Sequence, residues 1–294
     1  MAKHSIAILG ANGALGAPVL AALESSTFRD SFQKPAILIT RNAADKKNTD
    51  AVEYRSGDLV ADPEGVAETI KGVDVVISLL GFTPEVSQAA EKLVSIVKPK
   101  LYIPSQFGVD VSSVQSVFPG FLLGKKQHSD ALRSKGIKVV DISTSCFAGD
   151  AWLYEINFHF GVDQEHKSVT FLGSPEQRVA FTHLIDVGRT VAAVATADPA
   201  QLPDKIEVQS GVVTPKQVVE LWESRHGSKI EVKAVISKEQ ALKDAQEDWT
   251  KNGFQPQKFF YYLNVIISQD GLVTDKNDNE LVNPGESLWK WEKF

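Results

Sequence analysis

SIAILGANGALGAPVLAALESS, residues 5–26, sets an apolar run of strand length against three glycines at a spacing of three, followed by a helical periodicity. Each glycine has its own task in a turn that holds a dinucleotide. Lacking a Cβ, Gly10 permits the tight turn, Gly13 lets backbone approach a pyrophosphate, and Gly16 lets helix and strand pack closely. Helix-terminal amides then face the phosphates. Asn12 suits the unusual turn geometry, and Ala14 and Leu15 complete the loop. On its own the motif specifies a phosphate-cradling turn and nothing more.

Around it, strand-like runs rich in Val, Ile and Leu occupy 6–10, 36–40, 52–57, 73–80, 101–104 and 138–143. Helix-length amphipathic segments alternate with them. In PEVSQAAEKLVSIVK (84–98), Pro84 suits a first helical turn, and Val86, Ala90, Leu93 and Val97 share one face. The strands are apolar throughout rather than alternating, as expected when helices cover both faces of a parallel sheet. The pattern predicts an α/β fold with a Rossmann-type, doubly wound parallel sheet, whose ligands sit outside the carboxyl ends of the strands.

After residue 150 the rhythm changes. AWLYEINFHFGVD (151–163) is aromatic and loop-like, SVTFLG and RVAFTH read as short strands, and LIDVGRTVAAVATA returns as a helix. The strand KIEVQSG and the helix TPKQVVELWESRHG follow, the latter with Thr214 as N-cap, Pro215 at the first helical position and Gly227 at its end. We therefore expect a nucleotide-binding domain over 1–150 with further elements from about 179–230. A smaller substrate-binding α/β domain or lid, interleaved in sequence, takes about 151–178 and 232–294.

Composition narrows the function. A formal charge of −6 argues against a nucleic-acid protein, which needs a basic face to neutralise phosphates. The single cysteine, Cys146, excludes an intramolecular disulfide and points to a reducing compartment. No apolar stretch approaches the ~18–20 residues of a membrane span, and the start of the chain has no signal-peptide pattern. A cytoplasmic protein is expected.

The second strand ends ILITRNAADKK (37–47). A site specific for NAD generally places an acid here for the ribose hydroxyls; this chain has Thr40, then Arg41, with Lys46 and Lys47 close behind. A guanidinium there clamps a 2′-phosphate by bidentate hydrogen bonds, so NADPH is the expected cofactor, held by Arg41 with help from Lys46. The Tyr-x-x-x-Lys pair of ordinary short-chain dehydrogenases is absent. Tyr54, Tyr102, Tyr154, Tyr261 and Tyr262 are followed four residues on by Asp58, Gln106, Phe158, Val265 and Ile266.

Three stretches resemble one family: GANGALG (10–16), PSQFGVD within LYIPSQFGVD (101–110), and STSCFAG (143–149). With GDLVADPEG (57–65) and VAFTHLIDVGR (179–189), they are similar to the NmrA-like, isoflavone reductase-like branch of atypical short-chain dehydrogenases. The likeness covers most of 5–190 and fades after about 200. In those reductases a lysine soon after the PSEFG motif opens a helix and serves as catalytic acid/base. Setting FLLGKKQHSDALRSKGIKVV (121–140) against that segment puts Lys125 in this role and beside the cofactor, with Lys126 pointing elsewhere. Facing an apolar pocket, such a lysine has its charged form disfavoured, which suits proton transfer.

The resemblance implies further roles. Ser78, Leu79 and Gly81 close the fourth strand beside the cofactor, Ser105, Gln106 and Phe107 lie near the nicotinamide ribose, and Asp58 lies near the adenine. Cys146 and Phe147 belong to the nicotinamide side. Substrate contacts are assigned to Phe82, His128, Phe147, Trp152, Tyr154 and Phe158, and the aromatic content of 152–160 and 254–262 suits a flat apolar substrate. The family's Glu in PSEFG is Gln106 here, which keeps size but loses charge. His159, Asp163 and His166 lack the spacing of a metal site, and no metal is expected. The expected partners are a small aromatic substrate and a second copy of the chain as a homodimer, with neither nucleic acid nor membrane. The implied activity is NADPH-dependent reduction of an aromatic or enone-type metabolite. Two other readings share these motifs: a regulator that senses NADP(H) without catalysis, and an isomerase or cyclising enzyme that uses the cofactor as scaffold.

Overall fold

The computed structural model describes residues 3–149, 160–274 and 276–294. The first half alternates strand and helix: β1 (His4–Leu9), α1 (Gly16–Glu24), β2 (Phe32–Thr40), β3 (Val52–Ser56), α2 (Pro63–Thr69), β4 (Val75–Ser78), α3 (Pro84–Val97) and β5 (Leu101–Ile103). These five strands form one sheet in the order β3-β2-β1-β4-β5, parallel throughout. The order reverses between β1 and β4, so a crevice opens there at the carboxyl ends of the strands.

The uninterrupted apolar runs follow from the pleat, since successive side chains point to opposite faces and both faces are covered. Ile6 and Ile8 enter the core beneath α1, with Val75, Ile77, Leu101 and Ile103 beside them. Ala7 and Leu9 face the other way, into a second core with Val76, Tyr102 and the apolar sides of α2 and α3.

The chain continues with α4 (Val111–Val117), α5 (Leu123–Ser134), β6 (Asp141–Ser143), β7 (Cys146–Ala148), β8 (Val162–Asp163), β9 (Ser168–Leu172), β10 (Val179–His183) and α6 (Leu184–Thr196). Then come β11 (Lys205–Glu207), β12 (Gly211–Val213), α7 (Pro215–His226), β13 (Glu231–Ile236), α8 (Lys238–Asn252), α9 (Phe259–Asp270) and α10 (Asn279–Val282). The run over 138–143 extends the sheet only by a bridge from Tyr102 to Val139, and its β6 portion pairs in parallel with β11. Helix α6 packs beside α1 on the first core. Helix α7 has the expected ends: Thr214 and Gln217 form a capping box, and Gly227 closes it at φ +59.

Two further cores lie after β7. One joins β7, β9 and β10 to α7; the other is helical and joins Val114, Phe118 and Phe121 to α8 and α9. The C-terminal stretch departs from the expected partition. Trp289 packs on Phe28 at 6.1 Å and Val282 joins the α1/α6 core, while the Glu292 amide donates to Asp186. Residues 282–292 thus brace the nucleotide-binding sheet rather than the smaller lobe. Among the described residues no helix is long and apolar enough to cross a membrane.

Candidate functional site

Two hollows meet at the carboxyl edge of the main sheet. The first, about 450 Å³, is walled by the turns after β1, β2, β3 and β4. Gly10, Asn12 and Gly13 come from the first turn, Thr40 and Arg41 from the second, Asp58 from the third, and Leu79 and Gly81 from the fourth. Gly10 sits at φ +82, and a Cβ there would meet the Leu79–Leu80 backbone at 3.0 Å. Conformation and close approach therefore both demand glycine. Gly16 is buried, and its absent Cβ would stand 1.7 Å from the Ala11 carbonyl oxygen, so the tight packing is within the turn itself.

Helix α1 opens without a side-chain cap and without an acid in its first turn. Its neighbours α2, α3 and α4 are capped by Asp62, Thr83 and Asp110. The α1 terminus is thereby left to an anion from solution. Lys46 does not line the hollow, but its Nζ donates to Asn12 Oδ1 at 2.9 Å, and Asn12 Nδ2 donates to Thr40 Oγ1 at 3.1 Å. This ties the basic loop after β2 to the glycine turn. Asp58 Oδ1 accepts from the amides of Val60 and Ala61, so the carboxylate shapes its own turn as well as the wall.

The second hollow, about 380 Å³, adjoins the first across Gly81 and Phe82. Its walls are mostly apolar: Phe82, Phe107 and Phe147 from the sheet edge, and Phe259, Phe260 and Leu263 from α9. Lys125, in the first turn of α5, also lines it. Burial brings its amine down to about 8, with the Asp141 carboxylate pulling weakly the other way. Lys126 is exposed and paired with Asp130. Cys146 also lines the pocket, but burial pushes its thiol up to about 12, so it stays protonated and apolar.

The expected residues are not all brought here. Ser78 is buried, with its hydroxyl against Tyr102, and neither it nor Ser105 lines a hollow. Gln106 turns away beneath α5, where it meets the Lys125 carbonyl and Ser129. Ala14 and Leu15 belong to the turn behind the wall. His128, expected in the substrate pocket, does not line it and is turned toward α3 and β5. Its Nδ1 meets Ser87 and Glu91 and its Nε2 the Tyr102 hydroxyl, filling the gap between α3, β5 and α5. Three residues on from Lys125, it stands about 60° round the helix, and Ser87 and Glu91 of α3 with Tyr102 of β5 hold it on that side. Trp152, Tyr154, Phe158 and His159 lie outside the described residues. Asp163 and His166 pair with each other at 2.7 Å on an exposed turn.

Residues of α9 were missed individually. Their signal, the aromatic run FQPQKFFYYL (254–263), marks a packed helix without indicating what its rings face.

With the geometry established, three comparisons bear on it. A model of the NmrA-like family matches residues 2–261. Eugenol synthase 1 of Petunia hybrida is 28% identical over 262 residues, which cover 82% of this chain and 80% of that protein. A crystal structure of isoflavone reductase superposes with a TM-score of 0.69 at 23% identity, covering 95% of this chain and 94% of the other. A structure described as AtPrR2 with NADP+ and (+)pinoresinol gives 0.70 at 19% identity, covering 94% and 91%. At these identities the two structures establish a shared fold.

Proposed function

Because this chain belongs to the NmrA-like family, we propose that it is an NADPH-dependent reductase of an aromatic or enone-type metabolite, with Lys125 as its general acid/base. The observation that carries the reading is the position of Lys125: one amine, lowered to about 8, in an otherwise apolar pocket that adjoins a glycine-turn cleft where Phe82 follows Gly81. The cleft fits a dinucleotide phosphate. Gly10 leaves no room for a side chain, α1 presents an uncapped terminus, and Arg41 lines the same cleft with a guanidinium suited to a 2′-phosphate. The solved relative with NADP+ supports the same cofactor.

NADPH, when bound, supplies a hydride to an electrophilic carbon of the substrate. The chain's own residues do the rest. Gly10, Asn12, Gly13 and Arg41 bind, and Leu79, Gly81 and Phe147 orient. The phenyl rings of Phe82, Phe107, Phe259 and Phe260 exclude water from a flat substrate. Lys125 Nζ gives its proton to the oxygen on which charge develops, and an amine near 8 is close to the operating pH at which such transfer is efficient.

The test is NADPH oxidation against a panel of aromatic secondary metabolites, with NADPH binding measured alongside. Turnover of at least one member is expected. Tight NADPH binding with no member reduced would overturn the reductase reading in favour of a cofactor sensor.

A further inference from the structure

We propose that Gln106 is a positioning residue for Lys125, its side-chain amide holding the first turn of α5 by donating to the Lys125 carbonyl. The inference rests on Lys125 as the acid/base of the reaction. Gln106 is 5% exposed and sits in the loop after β5. Its Nε2 donates to the Lys125 carbonyl oxygen at 2.6 Å and to Ser129 Oγ at 2.9 Å. A backbone carbonyl only accepts, so the NH₂ end of the amide must face the helix. The Ser129 hydroxyl, fully buried, donates in turn to Asp141 Oδ1 at 2.7 Å, and Asp141 Oδ2 accepts from Arg133 Nη2 at 2.9 Å.

The helix needs such a tether. Helix α5 has no side-chain cap, and it is entered through Leu122 at φ +59, a left-handed conformation unfavourable for a leucine. Locally the turn that carries Lys125 is held by backbone bonds alone, Leu123 N to the Gly120 carbonyl and Lys125 N to the Leu122 carbonyl.

The substitution of glutamine for the family's glutamate acquires a physical meaning from this geometry. An ionised glutamate cannot donate to the Lys125 carbonyl, and it would add a second carboxylate, besides Asp141, under the first turn of α5. The groups that face Lys125 are otherwise nearly neutral. Asp141 on β6 is paired with Arg133, Cys146 on β7 stays a thiol, and α9 and the β4–α3 turn contribute phenyl rings and aliphatic groups. Burial is thus left to dominate the titration of the lysine.

The experiment needs no substrate. Full-length wild type, Gln106→Glu, Gln106→Ala and Ser129→Ala are labelled with acetic anhydride across pH. The Lys125 peptide is read by mass spectrometry, with Tm recorded for each. The wild-type midpoint is expected near 8. Gln106→Glu should move it upward by about one pH unit or more, and the other two variants should move it less, in the same direction, as the turn loosens and water reaches the amine. A lower Tm with an unmoved Lys125 midpoint in Gln106→Glu and Ser129→Ala would overturn the proposal, leaving Gln106 a scaffold. A wild-type midpoint near ~10.4, the ordinary lysine value, would instead refute Lys125 as acid/base, and this inference with it. If Gln106→Glu does not fold, Ser129→Ala decides.

Discussion

The two hollows share a seam at Gly81 and Phe82 yet are assembled by different rules. The cofactor cleft is built from the turns after four consecutive strands, all within residues 9–86. The apolar pocket gathers side chains from residue 82 to residue 267, on the sheet edge, α5, β7 and α9. Helix ends follow the same division of labour. Helices α2, α3, α4, α7 and α8 begin at their own Asp, Thr or Ser caps. Helices α1, α5 and α9, which open on the two hollows, have no side-chain cap, a feature they share with the single-turn α10 away from both. The first-turn amides of α1, α5 and α9 are thus left to groups from outside their own helix. The lesson is that the glycine turn is a self-contained device, whereas the apolar pocket depends on long-range packing.

The sharpest way to separate the two hollows is to remove the one amine in the second. Lys125→Ala should lower kcat on an accepted substrate by about 10²–10⁴ while NADPH affinity stays within a small factor. Steady-state rates and fluorescence titration of NADPH check both halves. Undiminished turnover would break the division by showing that the proton comes from another group.

The converse substitution acts on the first hollow. Arg41→Ala should weaken NADPH by about 10–100-fold, the ~1.5–3 kcal/mol of hydrogen bonds to a charged group, and leave NADH nearly unchanged. Paired titrations with the two cofactors decide it, since equal losses would remove the 2′-phosphate from Arg41.

How far each hollow could be read from sequence follows from the same contrast. That Gly10, Gly13 and Arg41 line one cleft was legible because a strand end, a turn and a helix start are neighbours in sequence, and glycine has few reasons to recur at that spacing. The apolar runs revealed a doubly covered sheet, and Thr214 with Gly227 marked both ends of α7, because caps are local chemistry. His128 and Gln106 were misplaced for the opposite reason. Both orientations depend on polar groups from distant elements: Glu91 and Tyr102 for one, Ser129 and the α5 carbonyl for the other. Trp289 likewise reads as part of an aromatic, charged tail until Phe28 is known to be its neighbour. Lys125 became visible only through resemblance, since nothing in KKQ distinguishes one lysine from the next.

A stability measurement sharpens the claim that Lys125 is desolvated. In the folded chain its amine titrates near 8, and in the unfolded chain near ~10.4. Between these values the unfolded state holds a proton that the folded state has shed, so wild-type stability rises with pH across that window. A methionine fills similar space without a charge. Lys125→Met should therefore be more stable than wild type below pH ~8, by roughly 1–2 kcal/mol, with the advantage fading by pH ~10. Urea unfolding at a series of pH values checks this. A difference constant with pH would show that the amine keeps its water.

The smallest effect belongs to the neighbouring lysine and is the control for all the others. Lys126 is one residue from Lys125 on the same turn, but it is exposed and its amine pairs with Asp130 one turn on. An exposed pair of this spacing stabilises a helix by only ~0.3–0.5 kcal/mol. Near a helix start, moreover, a cation works against the dipole, which offsets part of that gain. Lys126→Ala should shift stability by less than ~0.5 kcal/mol and leave both turnover and NADPH affinity at wild-type values. Side-by-side kinetics of the two alanine variants test the assignment without any structural assumption, because composition, helix position and formal charge change alike in both. If Lys126→Ala loses activity as Lys125→Ala does, the effect stems from charge at the head of α5, and the apolar pocket loses its claim to a single reactive amine.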